Sequence, residues 1–395
     1  MACADDIETA HNAMRRTGRD DSVMSEPLIL FLCGDVMPGR GIDQVLSHPC
    51  DPRLYEPYVR DARHYVELAE RVNGPIPQPV DFPYVWGDAL AELERRAPDV
   101  RIINLETAVT RSNNYWRNKG INYRMSPQNL PCLTAAGIDA CALANNHVLD
   151  WGYTGLDETL EALGEANIKT AGAGRDAAQA AAPALLKTRG TGRVIMFSFG
   201  LENSGTPSRW AASEDKPGIN LLGELTDATV RRIKEDVERV KRAGDIVVAS
   251  IHWGNNWGYA IDPEEREFAR ELIDQAGIDV IHGHSCHHFK GIEVYREKPI
   301  LYGCGDFLDD YEGIGGYEEF RSDLVLMYFV SMERRTGRLG DLKMVPMQIK
   351  RFRLHRVSEQ DARWLCARMN RECARLGSRV ELGADNVLTL KWGER

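Results

Sequence analysis

Four of the ten histidines in this 395-residue chain fall within seven positions, in the run Asp279-Val-Ile-His-Gly-His-Ser-Cys-His-His288. Imidazole is the commonest side-chain ligand for divalent transition metals, and such sites recruit further His, Asp or Glu from other strand ends. His282, His284, His287 and His288 follow a short apolar run, so the cluster stands where a buried strand leaves its sheet. Open α/β sheets hold their ligands at that edge. One histidine in such a loop is ordinary polarity; four together predict a metal site.

Other short apolar runs end the same way. Gly34-Asp35-Val-Met-Pro-Gly39 follows 28–33, and Asn104-Leu-Glu106 closes 100–105. Asn145-Asn146-His147-Val-Leu-Asp150 follows 138–143, and His252-Trp-Gly254 follows 246–251. Five endings that each offer Asp, Glu, Asn or His describe a crevice at the C-terminal edge of a sheet. These residue types suit two divalent ions sharing a carboxylate, which clamp an oxyanion and lower the pKa of bound water. Asp35 is expected on the first ion, Glu106 between the two, and Asn146 and His252 on the second, with His284 and His287 completing the shells. His147 is expected to protonate a leaving group, with Asp150 fixing its tautomer.

The elements that must position these residues alternate. Apolar runs at 28–33, 100–105, 138–143, 194–199, 246–251, 280–282 and 300–302 read as buried strands, and 324–332 and 342–354 as further strands. Helices are expected over 86–96, 155–165, 227–242 and 263–276, the last opening on Asp262-Pro263 and closing at Gly277. That rhythm predicts a layered α/β fold. Residues 50–85 break it with Asn73-Gly-Pro-Ile-Pro-Gln-Pro79 and read as an inserted helix and rigid loop. Residues 1–26 read as a flexible leader, 27–355 as the main domain and 356–395 as a C-terminal helical extension.

Composition narrows the partners. A net charge of −10 argues against nucleic acid, whose phosphates call for a basic stripe. The expected substrate is a small-molecule or peptide anion, drawn by the positive charge of bound metal. Nine scattered cysteines without a CxxC pair suit a reducing compartment, and the N-terminus lacks the apolar core of a signal peptide. No apolar run approaches the ~20 residues that span a bilayer, so a cytoplasmic protein is expected. Arg40, Arg124 and Lys119 are candidate anion contacts, with solvated surface charge as the ordinary alternative. Asn256 lines a substrate cleft or walls the metal site. His288 reads equally as substrate contact or surface.

As a set, GDxxxG around Asp35, the NLE ending at Glu106, ANNHxxD at 144–150, HWG at 252–254 and GHxxHxxxGIE at 283–293 resemble the CapA-type poly-γ-glutamate capsule-synthesis proteins. Those proteins resemble the calcineurin-like metallophosphoesterases. The resemblance spans 28–335 and implies a four-layer α/β/β/α sandwich holding two divalent ions (Mn, Fe or Zn). It implies Asp35, Glu106, Asn146, His252, His284 and His287 as metal ligands and His147 as the acid. The activity implied is metal-dependent hydrolysis, with metal-bound hydroxide attacking a phosphoester or related anion. Synthesis or cleavage of γ-glutamyl polymer, and a metal-binding scaffold without turnover, are the alternatives. Two runs depart from the family: His-His-Pro-His reads His284-Ser285-Cys286-His287, and Gly-Asn-Phe reads Gly305-Asp306-Phe307.

Overall fold

Strand β1 (Leu28–Val36) alternates its side chains between two cores. Leu28, Leu30 and Leu32 enter one apolar cluster and Phe31 and Cys33 another. The computed structural model describes residues 26–190 and 192–393. The leader expected over 1–26 therefore lies, apart from Glu26, outside the described residues.

The first sheet has ten strands. At its centre β1 pairs in parallel with β2 (Val100–Leu105), which pairs in parallel with β3 (Ala140–Ala142). The second sheet has six strands, with β4 (Arg193–Gly200), β5 (Ile246–His252) and β6 (Val280–His284) mutually parallel. Short β7 (Asp306–Leu308) runs parallel to β1 and puts Asp306 opposite Asp35. On the other flank of β1, β8 (Leu324–Met332) pairs antiparallel. Parallel pairing brings the C-terminal ends of β1, β2 and β3 to one edge of the first sheet, and those of β4, β5 and β6 to one edge of the second.

Three clusters account for the main core. Val100 and Ile102 of β2 pack with Val194 and Met196 of β4 and with Ile246 and Val248 of β5, so one cluster is shared by both sheets. The opposite face of the first sheet (Ile103, Leu105, Cys141) packs with Leu156, Leu160 and Leu163 of the helix Gly152–Glu165 and with Leu93 of Ala89–Arg96. The opposite face of the second (Phe197, Val247, Ala249) packs with Val230, Ile233 and Val237 of Asp227–Val240 and Phe268 and Leu272 of Pro263–Gln275. Asp262 caps the last helix by accepting from the Glu264 amide at 2.9 Å, with Pro263 in its first turn.

The inserted region holds a helix at Arg63–Asn73 followed by a proline-rich loop. The C-terminal segment corrects the expectation of a helical extension. Helix Glu359–Cys373 is followed by strands Ser378–Leu382 and Leu388–Trp392, and the second pairs with Leu339–Lys350 in the ten-stranded sheet. Val380, Leu388 and Leu390 face the core shared by the sheets while polar residues alternate with them. Such short mixed strands gain their stability from the neighbouring sheet, which local sequence does not display.

Candidate metal centre

Each group reaches the centre from a strand end. Asp35 closes β1 with its carboxylate fully buried, accepting from Asn104 Nδ2 at 2.7 Å and from the Ser285 amide at 3.2 Å. Asn104 also donates to Glu106 Oε2 at 3.2 Å, so one amide holds both carboxylates. Asn145 in turn donates to Asn104 Oδ1 at 3.0 Å and to the Leu105 carbonyl at 2.8 Å. Its own Oδ1 accepts from the His147 and Val148 amides, shaping the turn that presents Asn146 and His147.

From the second sheet, His252 ends β5 and His284 ends β6, as register partners. Their Nδ1 atoms lie 2.8 Å apart, and His284 Nδ1 lies 3.9 Å from Asp35 Oδ1. Asp35, His252 and His284 each offer a ligand atom, all within 4.8 Å of one another. Glu106 Oε1 stands 3.8 Å from His252 Nε2 and 3.8 Å from His147 Nε2. Among the described residues, the buried His252 Nε2 and Asn146 Oδ1 here have no hydrogen-bond partner. Buried polar atoms are rarely left unpaired, and these two are of the types that donate electron pairs to metals.

The electrostatics agree with a cationic occupant. Burial and the neighbouring Asp306 push the Asp35 carboxyl up to about 7. Burial raises Glu106 as well, with Asp35 beside it adding to the effect. Burial holds His252 and His284 well below the usual imidazole range, which leaves them neutral, the form that ligates. Burial pushes the nearby Cys286 thiol up to about 12, and its Sγ lies 3.2 Å from His288 Nε2.

His147 and Asp150 form a pair, Nδ1 to Oδ2 at 2.6 Å, and Lys119 Nζ lies 2.8 Å from Asp150 Oδ1. The pair leaves His147 Nε2 on the side of Glu106. His287 lies close enough to interact electrostatically with Asp35 and His252, while its Nδ1 meets Asp306 Oδ1 at 2.9 Å and its Nε2 meets Asn256 Nδ2 at 3.2 Å. Burial lowers its pKa, yet the Asp306 carboxylate outweighs that and raises it overall. Asn256 is exposed and sits at the rim with His287.

Three expected substrate contacts are corrected. Arg40 is buried, pairs with Glu56 at 3.0 Å and with Asp310, and lies over the rings of Tyr65 and Tyr123. Arg124 is buried over Trp151 and donates to the carbonyls of Ser112 and Asp51. Both guanidinium groups are consumed by internal partners. His288 is buried against Phe320, donating from Nδ1 to the Phe289 carbonyl and accepting at Nε2 from the Gly258 amide. Asn145 and Ser250 went unrecognised in the sequence. A second asparagine beside Asn146 was the available signal for the first; a serine inside an apolar strand gives none.

The fold and site define a mixed α/β protein with a buried carboxylate–histidine cluster at its strand ends. Residues 29–311 match the family described as "Bacterial capsule synthesis protein PGA_cap", and the chain belongs to that family. It is 50% identical over 363 residues to a protein of Mycobacterium tuberculosis (strain ATCC 25618 / H37Rv) named probable polyglutamine synthesis accessory protein, covering 91% of this chain and 94% of the relative. The capsule biosynthesis protein CapA of Bacillus anthracis is 24% identical over 327 residues, covering 82% of this chain and 68% of that protein. The PGA biosynthesis protein CapA of Bacillus subtilis (strain 168) is 29% identical over 244 residues, 62% of this chain and 60% of the relative. Among the described residues no helix is long and apolar enough to cross a membrane.

Proposed function

We propose that the chain is a metal-dependent hydrolase of a phosphoester or related anionic substrate, built as a four-layer α/β/β/α sandwich of the metallophosphoesterase type. The three ligand atoms of Asp35, His252 and His284 within 4.8 Å carry this reading. The unpartnered His252 Nε2 and Asn146 Oδ1 support it. Asp35, Glu106, Asn146, His252, His284 and His287 would hold two divalent ions. Neutral imidazole, carboxylate and amide without thiolate suit Mn, Fe or Zn. Such ions supply Lewis acidity and an acidified water.

The chain's own groups do the rest. Asn104 keeps the Asp35 and Glu106 carboxylates in place. Asp150 Oδ2 accepts a hydrogen bond from His147 Nδ1, which also has Lys119 Nζ at 3.0 Å, so Nε2 is the nitrogen left to exchange a proton with a leaving group. Burial holds His147 down at about 4; an anionic substrate beside it would favour the protonated ring and offset that cost.

The relatives are named for polyglutamine synthesis, capsule biosynthesis and PGA biosynthesis, which favours a second reading, a part in the synthesis or cleavage of a γ-glutamyl amide polymer. Aryl-phosphate, phosphodiester and poly-γ-glutamate hydrolysis, each with added Mn²⁺, separate the readings. Phosphoester turnover lost in His252→Ala supports the first, and polymer cleavage alone supports the second. Stoichiometric metal without turnover on any of the three would leave a metal-binding scaffold and overturn the hydrolase.

A further inference from the structure

Strands β5 and β6 pair Ser250 with His282 and His252 with His284. Because side chains alternate along a strand, these four share the face of Ile246, Val248 and Val280, which looks into the core between the sheets. That face turns from apolar to polar as it nears the centre. His282, Ser250 and His284 are all fully buried and bonded in series. His282 Nε2 lies 2.7 Å from the Cys33 carbonyl of the opposing sheet, and its Nδ1 lies 3.0 Å from Ser250 Oγ. Ser250 Oγ lies 2.9 Å from His284 Nε2.

The direction of this series is forced at one end. A carbonyl only accepts, so His282 Nε2 carries a hydrogen. Among the described residues the ring nitrogens of His282 meet a carbonyl and a hydroxyl and no carboxylate, and a buried charge without a counter-charge is strongly disfavoured, so His282 is neutral and its Nδ1 accepts. The single Ser250 hydroxyl proton therefore points at His282. Ser250 Oγ is left to accept, which makes His284 Nε2 its donor. A neutral His284 then has a bare Nδ1, and that atom faces His252 and Asp35.

We propose that the Cys33 carbonyl sets the tautomer of His284 through His282 and Ser250, making Ser250 and His282 positioning residues that aim the Nδ1 lone pair into the metal centre. The proposal rests on the metal-centre reading above. Hydrogen-bonded partners behind a ligating histidine fix its tautomer and raise its basicity, and losing one typically weakens metal binding about 10- to 100-fold.

The test uses the full chain labelled with ¹⁵N-histidine and stripped of metal. Two-bond ¹⁵N–¹H spectra report each ring's tautomer, and His284→Gln assigns the His284 signals. The expected result is Nε2–H at His284 in the wild type and loss of that single tautomer in Ser250→Ala. The Zn²⁺ dissociation constant, measured against a chromophoric chelator, is expected to rise about 10- to 100-fold in Ser250→Ala. His282→Phe, which keeps the ring volume without its nitrogens, should act in the same direction, and Ser250→Thr, which keeps the hydroxyl, should restore both readouts. Nδ1–H at His284 in the wild type, or a Ser250→Ala chain with unchanged tautomer and affinity, overturns the relay. A wild type that binds no Zn²⁺ refutes the metal centre instead, while its metal-free spectrum still decides the relay.

Discussion

Asp35 and Asp306 are register partners on the parallel strands β1 and β7, with both carboxylates buried. Among the described residues neither has a lysine or arginine within ion-pair range; Asp35 has His284 at 3.9 Å and Asp306 has His287 at 2.9 Å. Asp306 stands where the resemblance has asparagine, so this chain adds a negative charge against its own candidate ligand. The Asp35 carboxyl rises from 3.8 to about 7 through burial first and Asp306 second. An acid whose folded pKa is raised keeps its proton in the folded state after the unfolded chain has lost it. The unfolded state then binds fewer protons, and stability falls with rising pH across that interval.

The contribution of Asp35 to the stability of the metal-free chain should accordingly fall between about pH 4 and about pH 7, while the buried neutral histidines contribute in the opposite direction, so it is isolated by comparison with a variant. Asp306→Asn, which removes the second cause, should flatten that dependence. Urea unfolding in EDTA across this range measures both, and parallel slopes in the two proteins would refute the coupling.

Metal should stabilise the fold because ligands bind the native state. At one hundred times the dissociation constant the gain is about 2.7 kcal/mol. Mn²⁺ or Zn²⁺ should raise the calorimetric midpoint of the wild type and EDTA should reverse it. His252→Ala, which removes a donor from the cluster of three, should lower bound metal by elemental analysis and blunt the shift.

His147→Ala should retain metal but slow turnover by ~10²–10⁴-fold, the usual contribution of a general acid. The loss should shrink for substrates with good leaving groups. An emptied centre in this variant would make His147 a ligand, contrary to its pairing with Asp150.

Arg40→Met should destabilise the chain by about 3–5 kcal/mol, because Glu56 and Asp310 would remain buried without their cation. Urea unfolding measures this. Metal content should be unaffected, which a metal contact would not allow.

Gly34→Ala should destabilise by more than about 3 kcal/mol or prevent folding. A Cβ there would stand 1.7 Å from the Gly305 carbonyl oxygen, and the same carbonyl accepts from the Asp35 amide at 2.9 Å. Denaturation of the purified variant, or its partition into the insoluble fraction, provides the check.

The strands that bear the site were legible because apolar runs of five to eight residues that end in polar clusters carry their own signal. Val100–Leu105 and Leu324–Met332 fall where their runs predict. Asp35, Glu106, His252 and His284 were legible because each follows such a run. Arg40, Arg124 and His288 were misread because a cation or imidazole near a site looks alike in sequence whether it meets substrate or an internal partner. Only the tertiary structure supplies Glu56, Asp310 and the Phe289 carbonyl. The strands at Ser378–Leu382 and Leu388–Trp392 were hidden for a related reason, since their pairing partner lies in a remote part of the chain. The sequence by itself determined which residue types stand at which strand ends, a property of local periodicity. The register of Asp35 with Asp306, and the contact of Cys33 with His282, were decided only when the strands and sheets packed, because side chains distant in sequence meet through backbone pairing and burial.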